Sequence, residues 1–216
     1  MTVLSRLALA AAVLALLSGP AQARKSPGSI AIDKSSKTGA LLVRVRPQPF
    51  DYQLTLQKEG SGGFGSRVYM VDVEPGTGGG ETWEVRTLSP GRYVLKYVMQ
   101  QKGWIGCLED ATIMFDVKPG AVNYLGLIDA VPILELIQTA AGSRGELTAG
   151  GGSGGGIYYE MVPPAVTRRE AADVASAVEF VEGMMPKTRA PVVLAPVEAY
   201  RFRAADDRNR RKRACN

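Results

Sequence analysis

Histidine is absent from the sequence of 216 residues, which removes the most common pairs of nucleophile and base. Ser-His-Asp triads, Cys-His pairs and histidine-ligated zinc all require it. Cys107 and Cys215 are the two cysteines of the chain, too few for a thiolate zinc cage. No lysine follows a glycine-rich loop as in a P-loop. We therefore predict no catalytic residue, no metal site and no cofactor, and interpret the chain as a non-enzyme.

Carboxylates are the remaining residues suited to acid–base chemistry. A glycosidase-like mechanism would use two of them, drawn from Asp51, Asp72, Glu74, Glu109 and Asp110. Glu109 and Asp110 are adjacent, so on an extended chain they point apart. Asp72 and Glu74 share a face, but it is the side opposite the apolar residues and indicates solvent exposure. A carboxylate-based glycan hydrolase is therefore the weakest interpretation.

Three aromatic residues are better candidates for binding. Trp104 lies in an irregular segment, and Tyr158 and Tyr159 lie on a predicted edge strand. Loops and edges carry recognition more often than strand interiors do. Trp83 and Tyr97, by contrast, lie within strands and are expected to fill the core.

The basic residues are concentrated at the C-terminal end. From Arg201 onward there are seven basic and two acidic residues, an excess equal to the formal net charge of +5 of the whole chain. This segment suits a protein or an envelope polymer with negative charge, whereas a nucleic acid is a poor candidate without a basic face elsewhere. The alternative is a solvated, disordered terminus that binds nothing. The basic residues predicted to bind are Arg210, Arg211, Lys212 and Arg213.

The N-terminus has the three parts of a secretory signal. Arg6 is the positive region, Leu7–Leu17 is an apolar run too short to span a bilayer, and Ala21-Gln22-Ala23 is a cleavage site. We predict cleavage after Ala23 and a periplasmic or secreted bacterial protein. The later apolar stretch 121–137 contains charged residues and proline, so no transmembrane segment is expected in the mature chain.

Export bears on the two cysteines. In an oxidising compartment, Cys107 and Cys215 are suited to a disulfide that would fix the end of the chain to the domain. Pairing with other chains and free thiols are the alternatives, and the sequence does not decide among them.

Alternating strands and Pro-Gly turns dominate the middle of the chain. FDYQLTLQ, residues 50–57, alternates apolar and polar residues, as a half-buried antiparallel strand does. Ser89-Pro90-Gly91 and Pro119-Gly120 are tight turns. GSGGFG, residues 60–65, precedes a strand rather than a helix, which argues against dinucleotide binding. We predict an all-β, antiparallel Ig-like or prealbumin-like sandwich of about seven to nine strands.

The segments PGRYVLKY and FDVKPGAVNYLG support this fold by resemblance. They resemble small prealbumin-like and carboxypeptidase-regulatory-like β-sandwiches, particularly uncharacterised secreted proteobacterial domains. The resemblance covers about residues 39–128. It implies the fold and places Tyr93, Phe115 and Tyr124 in the core. It implies no catalytic residues.

One C-terminal amphipathic helix is predicted after the strands. Thr167 and Glu170 form a capping box, Val174 and Val181 belong to an apolar stripe, and Pro186 ends the helix. Residues 131–138 are a strand or a short helix. The predicted divisions are a signal peptide (1–23), a flexible segment (24–38), a β-sandwich (39–162, with a glycine-rich loop at 150–156), the helix (163–186) and an extended basic tail (187–216).

These features favour an exported, non-enzymatic binding or accessory module of the bacterial cell envelope. One alternative is a structural component of an envelope or surface assembly that docks through the C-terminal helix and the basic tail. The glycan hydrolase is the other.

Overall fold

The computed structural model describes residues 26–60, 68–77, 79–108, 111–146 and 156–202, except for the side chain of Glu160. The described residues form twelve strands and two α-helices. The fold is therefore mostly β, as predicted, with two multi-stranded sheets. The predicted signal peptide, the basic cluster at 210–213 and the glycine-rich loop at 150–156, except for Gly156, lie outside the described residues.

The first sheet has five strands in the order β10-β8-β1-β4, with β11 also paired to β8. β1 is parallel to β8 and antiparallel to β4, and β11 is parallel to β8. The prediction of purely antiparallel pairing is thus not confirmed. The bounds are β1 (Gly39–Val45), β4 (Thr82–Leu88), β8 (Val122–Ile128), β10 (Val166–Thr167) and β11 (Val192–Leu194).

The second sheet has seven strands in the order β12-β7-β5-β2-β3, and β6 and β9 extend it from β5. These pairs are antiparallel except for β6 with β9, which is parallel. The bounds are β2 (Tyr52–Lys58), β3 (Val68–Val73), β5 (Gly91–Gln100), β6 (Trp104–Leu108), β7 (Ala111–Val117), β9 (Ile157–Met161) and β12 (Val197–Arg201).

Two helices pack on these sheets, where one was predicted. The apolar segment 131–138, predicted as a strand or a short helix, belongs to the helix α1 (Val131–Ser143). Pro132 lies in the first turn of α1, where a backbone N–H would have no partner within the helix, so proline is tolerated there. α2 (Ala171–Met184) is the predicted C-terminal helix, but it is shorter at both ends. Its capping box is formed by Glu170 and Asp173, because Thr167 already belongs to β10.

The molecule has two apolar clusters. The larger one lies between the sheets and includes α1, with Leu54, Tyr93 and Phe115 among its members. The smaller one lies on the other side of the first sheet, where Ala177 and Val181 of α2 contact the sheet together with Ile30 and Ile32. The segment predicted to be flexible at 24–38 is thus partly core. The apolar stripe of α2 is used within the domain, which leaves only its polar side for docking.

The predicted tail at 187–216 begins as part of the fold. β11 pairs with β8 of the first sheet, and β12 pairs with β7 of the second. Pro191 and Pro196 precede these two strands, where they remove no ladder hydrogen bond. Sequence periodicity missed both strands because each is short and its burial is partial.

Gly126 marks a bulge in β8. The register against β1 shifts at this point, so Tyr124 faces α2 while Leu125 and Ile128 face the second sheet. Gly126 has a φ of 112°, and a Cβ atom there would lie 2.4 Å from the carbonyl oxygen of Thr167. The predicted period-two face of Val122, Tyr124, Gly126 and Ile128 is therefore broken by the bulge. In the parts of the chain that the structure describes, no helix is long and apolar enough to cross a membrane.

Candidate binding site

Three arginines line a cavity of about 600 Å³ at the start of α2. We call it the arginine cavity. Arg46 follows β1, and Arg168 and Arg169 lie between β10 and α2. The complete lining is Arg46, Leu127, Val166, Thr167, Arg168, Arg169, Glu170 and Asp173.

Arg169 fixes the wall of the arginine cavity. β10 and β11 pair with different parts of the same edge of β8, and Leu125 lies in the gap between them. Arg169 donates to the carbonyl oxygen of Leu125 and, over 2.6 Å, to that of Ala195 after β11. Burial lowers the pKa of Arg169. This side chain therefore positions the cavity by satisfying backbone acceptors.

Arg168 has an unusual backbone that is held by a buried tyrosine. Its φ is 57°, in the left-handed region that most residues avoid. The Tyr124 hydroxyl donates to the Arg168 carbonyl oxygen over 2.7 Å. The Arg168 side chain is 54% exposed, and its Nε lies 3.3 Å from Glu81. The constrained backbone thus presents a largely exposed guanidinium group at the cavity.

An aromatic stack supports this arrangement from the side of the first sheet. Trp83 stacks on Phe180 of α2 with ring centroids 5.0 Å apart, and Arg44 lies 4.2 Å from the Trp83 ring. Arg44 also pairs with Glu81 over 3.1 Å. Glu81 therefore links the stack to Arg168.

The remaining charges at the cavity have defined partners. Arg46 pairs with Asp129 over 2.8 Å, and its side chain is 41% exposed. Glu170 and Asp173 accept backbone N–H groups in the first turn of α2. These carboxylates therefore serve the helix end, while Arg46 and Arg168 keep exposed guanidinium groups. The arrangement is suited to holding an oxyanion such as a carboxylate or a phosphate.

Two of the three aromatic residues predicted to bind are internal. Trp104 and Tyr158 are buried, and both donate to the same carboxylate oxygen of Glu146, over 2.8 and 2.9 Å. Burial raises the pKa of Tyr158, and its hydrogen bond to Glu146 raises it further. Arg144 lies 4.6 Å from the Tyr158 ring. Trp104 and Tyr158 therefore present no surface to a partner, and instead close the core around α1.

Tyr159 is partly exposed on β9, and its binding role stays a prediction. Arg210, Arg211, Lys212 and Arg213 lie outside the described residues, as does Cys215. Cys107 is fully buried on β6. Its predicted pairing with Cys215 also stays a prediction.

The carboxylates proposed for hydrolysis are placed as follows. Asp72 accepts a hydrogen bond from Gln53 over 2.7 Å and forms an ion pair with Arg86 across the two sheets. Asp72 therefore has a structural role at this boundary. Glu109 and Asp110 lie outside the described residues. Within the described ranges, no group of three or more His, Cys, Asp or Glu residues is arranged to hold a metal.

Sequence reasoning missed the arginine cavity. Its signal was the Arg168-Arg169 doublet directly before the helix start, together with Arg46 after the first strand. Surface arginines are common, so the doublet alone is not distinctive. What makes it a site is the pairing of β8 with two short strands that are distant in sequence.

Comparison with known proteins supplies no relative: no family model, curated protein or solved structure matches this chain. The arginine cavity must therefore be interpreted from its own geometry. That geometry offers guanidinium donors, apolar walls from Leu127 and Val166, and a pocket large enough for a small ligand.

Proposed function

We propose that the protein is an exported, non-enzymatic module of the bacterial cell envelope that binds a partner through an oxyanion. The observation that carries the proposal is the arginine cavity, where the exposed guanidinium groups of Arg46 and Arg168 line one opening. Guanidinium groups recognise carboxylates and phosphates through paired N–H donors. The ligand group is a carboxylate or phosphate carried by a protein or an envelope polymer.

The exchange of ion-pair partners explains how such a site would work. Arg46 and Arg168 each contact a carboxylate of the protein, Asp129 and Glu81. Both ion pairs are partly exposed, with the arginines at 41% and 54% and their carboxylates at 25% and 19%, so their contribution to stability is modest. A ligand oxyanion that reached both guanidinium groups at once would gain charge-assisted hydrogen bonds from each.

The fold type and the compartment belong to the same proposal. Two sheets with a shared apolar cluster agree with the sandwich that the resemblance of residues 39–128 implies. Export is supported by the signal-like sequence of residues 1–23. N-terminal sequencing of the mature protein is expected to begin at Arg24. Retention of Met1 in the protein from its native host would contradict export by this route.

Calorimetric titration with succinate and with inorganic phosphate tests the binding site. We expect saturable binding with a Kd of about 1 mM or tighter, equivalent to about −4 kcal/mol. The double variant Arg46→Gln/Arg168→Gln should bind at least about tenfold more weakly, since charge-assisted hydrogen bonds contribute about 1.5–3 kcal/mol each. Arg169 is left unchanged because it holds the cavity wall.

Arg201→Gln is the matched control, since Arg201 lies on β12 of the second sheet and does not line the arginine cavity. It should bind both anions with the affinity of the unmodified protein. Equal binding by all three proteins would show that the anions bind elsewhere. Absence of binding to either anion at tens of millimolar would overturn the proposed function.

A further inference from the structure

The arginine cavity has an acidic side as well as a basic one. Glu170 and Asp173 line it together with Arg46 and Arg168. The two carboxylates lie at the N-terminus of α2, where each accepts the backbone N–H of the other residue. An ionised carboxylate has two oxygens and accepts several hydrogen bonds, so the capping box leaves acceptor capacity on both groups.

These two carboxylates have no cationic partner among the described residues. No lysine or arginine there lies within ion-pair distance of Glu170 or Asp173. Arg46 and Arg168 pair with carboxylates outside the cavity lining, and Arg169 donates to backbone carbonyl oxygens. The N-terminus of α2 contributes about half a positive charge, which does not neutralise two carboxylates. The acidic side of the cavity therefore keeps a negative charge.

The cavity and its ion-pair partners together carry equal numbers of positive and negative groups. The four guanidinium groups belong to Arg44, Arg46, Arg168 and Arg169, and the four carboxylates to Glu81, Asp129, Glu170 and Asp173. A ligand with negative charge alone would upset this balance and bring its oxygens towards carboxylates of like charge. A ligand with one charge of each sign preserves the balance and gives both sides of the cavity a partner.

The Tyr124 hydroxyl group indicates that both kinds of charge converge at one point. It donates to the carbonyl oxygen of Arg168 over 2.7 Å. Burial raises the pKa of Tyr124, Arg44 lowers it, and Asp173 and Glu81 raise it further. A single hydroxyl at the start of α2 is thus within electrostatic reach of charges of both signs.

The rest of the lining suits a short carbon skeleton with an open end. Leu127 and Val166 supply apolar wall between the charged groups. The side chains of Arg46 and Arg168 are 41% and 54% exposed, and Glu170 is exposed as well. The charged groups therefore lie at the mouth of the cavity, and a ligand held by them can extend into solvent towards the molecule that carries it.

We propose that the arginine cavity binds a zwitterionic amino-acid group, with a free carboxylate and a free ammonium, on a larger partner. Arg46 and Arg168 hold the carboxylate, and Glu170 and Asp173 hold the ammonium. The inference rests on the proposed function and narrows its ligand from any oxyanion to one that has a cation beside it. Glu170 and Asp173 are then the residues that determine specificity.

Calorimetric titration with aspartate tests this inference, because aspartate is succinate with one added ammonium group. Aspartate should bind at least about tenfold more tightly than succinate, since the ammonium gains charge-assisted hydrogen bonds. N-acetylaspartate, whose nitrogen is an uncharged amide, should bind no more tightly than succinate. Equal affinities for aspartate and succinate would overturn this inference and leave the oxyanion site standing. Absence of binding to every one of these anions and to phosphate would overturn the proposed function as well.

A double variant assigns the ammonium to its partners. Glu170→Gln/Asp173→Asn removes both charges, while the amide oxygens still accept the N–H groups of the helix end. It should bind aspartate and succinate equally and should bind succinate at least as tightly as the unmodified protein does. Glu179→Gln/Glu182→Gln is the matched control, with the same change in charge at exposed positions of α2 that do not line the cavity.

The control variant should keep the preference for aspartate. A preference that survives in Glu170→Gln/Asp173→Asn, or that is lost equally in both variants, would overturn the assignment. The comparison of ligands in the unmodified protein stands even if a variant fails to fold.

Attachment of the amino-acid group to a larger molecule is tested with free glutamine and its N-butyl side-chain amide. Both have the same ammonium and carboxylate, and the second has an added chain where a partner would be attached. They should bind with equal affinity, because the chain leaves through the open mouth of the cavity. Loss of binding on butylation would overturn the claim that the group is carried by a larger partner.

Discussion

The two sheets differ in what covers them. The first sheet has the second sheet on one side and α2 with Ile30 and Ile32 on the other. Its strands β1 and β8 are therefore buried almost throughout. The second sheet has described neighbours on its inner side alone. Two-sided burial permits parallel strands and removes the alternation that sequence reasoning relies on, and this explains why the two sheets differ in predictability.

The difference also locates the candidate site. β8 of the first sheet pairs with two separate short strands along one edge, and the gap between them is closed by Arg169. In the second sheet, one edge of β5 pairs with β7 and then with β6, and in the gap between them the Thr112 hydroxyl donates to the Leu95 carbonyl oxygen over 2.7 Å, so that no arginine is drawn in. A cavity with converging arginines arises where regular pairing stops and side chains must satisfy the backbone.

Gly126→Ala should have the largest effect on stability and would break the first sheet. The residue has a left-handed backbone, and a Cβ atom would strike the Thr167 carbonyl oxygen. Strain and overpacking, about 1–3 kcal/mol each, together predict a loss of about 2–6 kcal/mol in the free energy of unfolding. Urea denaturation measures it. Gly142→Ala in α1, where a Cβ atom has nothing within 4 Å, is the control and should be neutral or stabilising.

Glu146→Ala should destabilise the inner side of the second sheet. It leaves the buried Trp104 indole N–H and the Tyr158 hydroxyl without their acceptor. Each unsatisfied donor costs about 1–3 kcal/mol, so we expect a loss of about 2–4 kcal/mol by thermal or urea unfolding. Glu135→Ala, on the exposed side of α1, is the control and should change stability by less than about 0.5 kcal/mol. Equal effects of the two substitutions would refute the structural role of Glu146.

Phe180→Ala should weaken the cover of the first sheet. It removes the ring that stacks on Trp83 and leaves the second sheet untouched. Since Phe180 is partly buried, we expect about 1–3 kcal/mol. Hydrogen exchange should rise in β1, β4 and β8 but not in β2 and β5. Met184→Ala, at an exposed position of α2, is the control. A uniform rise in both sheets would show that they unfold as one unit.

Alkaline pH should produce the smallest change. Burial raises the pKa of Tyr52, Tyr93, Tyr124 and Tyr158 above the usual value of about 10. The unfolded chain therefore releases these protons at a lower pH than the folded protein does. The stability that these tyrosines contribute is fully present below about pH 10 and is lost as the pH rises above it. Burial lowers the pKa of Lys96, and this shift changes the stability in the opposite direction. It is one group against four tyrosines.

The urea midpoint should accordingly fall between about pH 10 and 11.5 and stay level from pH 8 to 9. Tyr124→Phe separates the two regions, since Tyr124 faces α2 while Tyr52, Tyr93 and Tyr158 lie between the sheets. The variant should still lose stability at alkaline pH, but less than the unmodified protein does. A midpoint that does not change up to pH 11.5 would contradict these pKa directions.

The sequence predicted the second sheet better than the first. β2 and β7 have the expected inner faces, since Leu54, Leu56 and Phe115 join the core between the sheets, although Thr55 and Met114 on the opposite face are buried as well. For the first sheet the parallel pairing and the bulge at Gly126 went unpredicted, because they depend on elements far along the chain. α1 remained ambiguous because a short apolar run suits a strand and a helix equally. The arginine cavity was missed because its residues look like ordinary solvated charges until β8, β10 and β11 are brought together.

The most direct test of the arginine cavity as a binding site is a map of backbone amide NMR shifts during titration with succinate. We expect saturable shifts at Leu127, Thr167, Arg168 and Glu170, at the edge of the first sheet, with the amides of β2, β3 and β5 unmoved. These shifts should disappear in Arg46→Gln/Arg168→Gln. Shifts centred on the second sheet, or none at saturating succinate, would contradict the claim that the arginine cavity is the binding site.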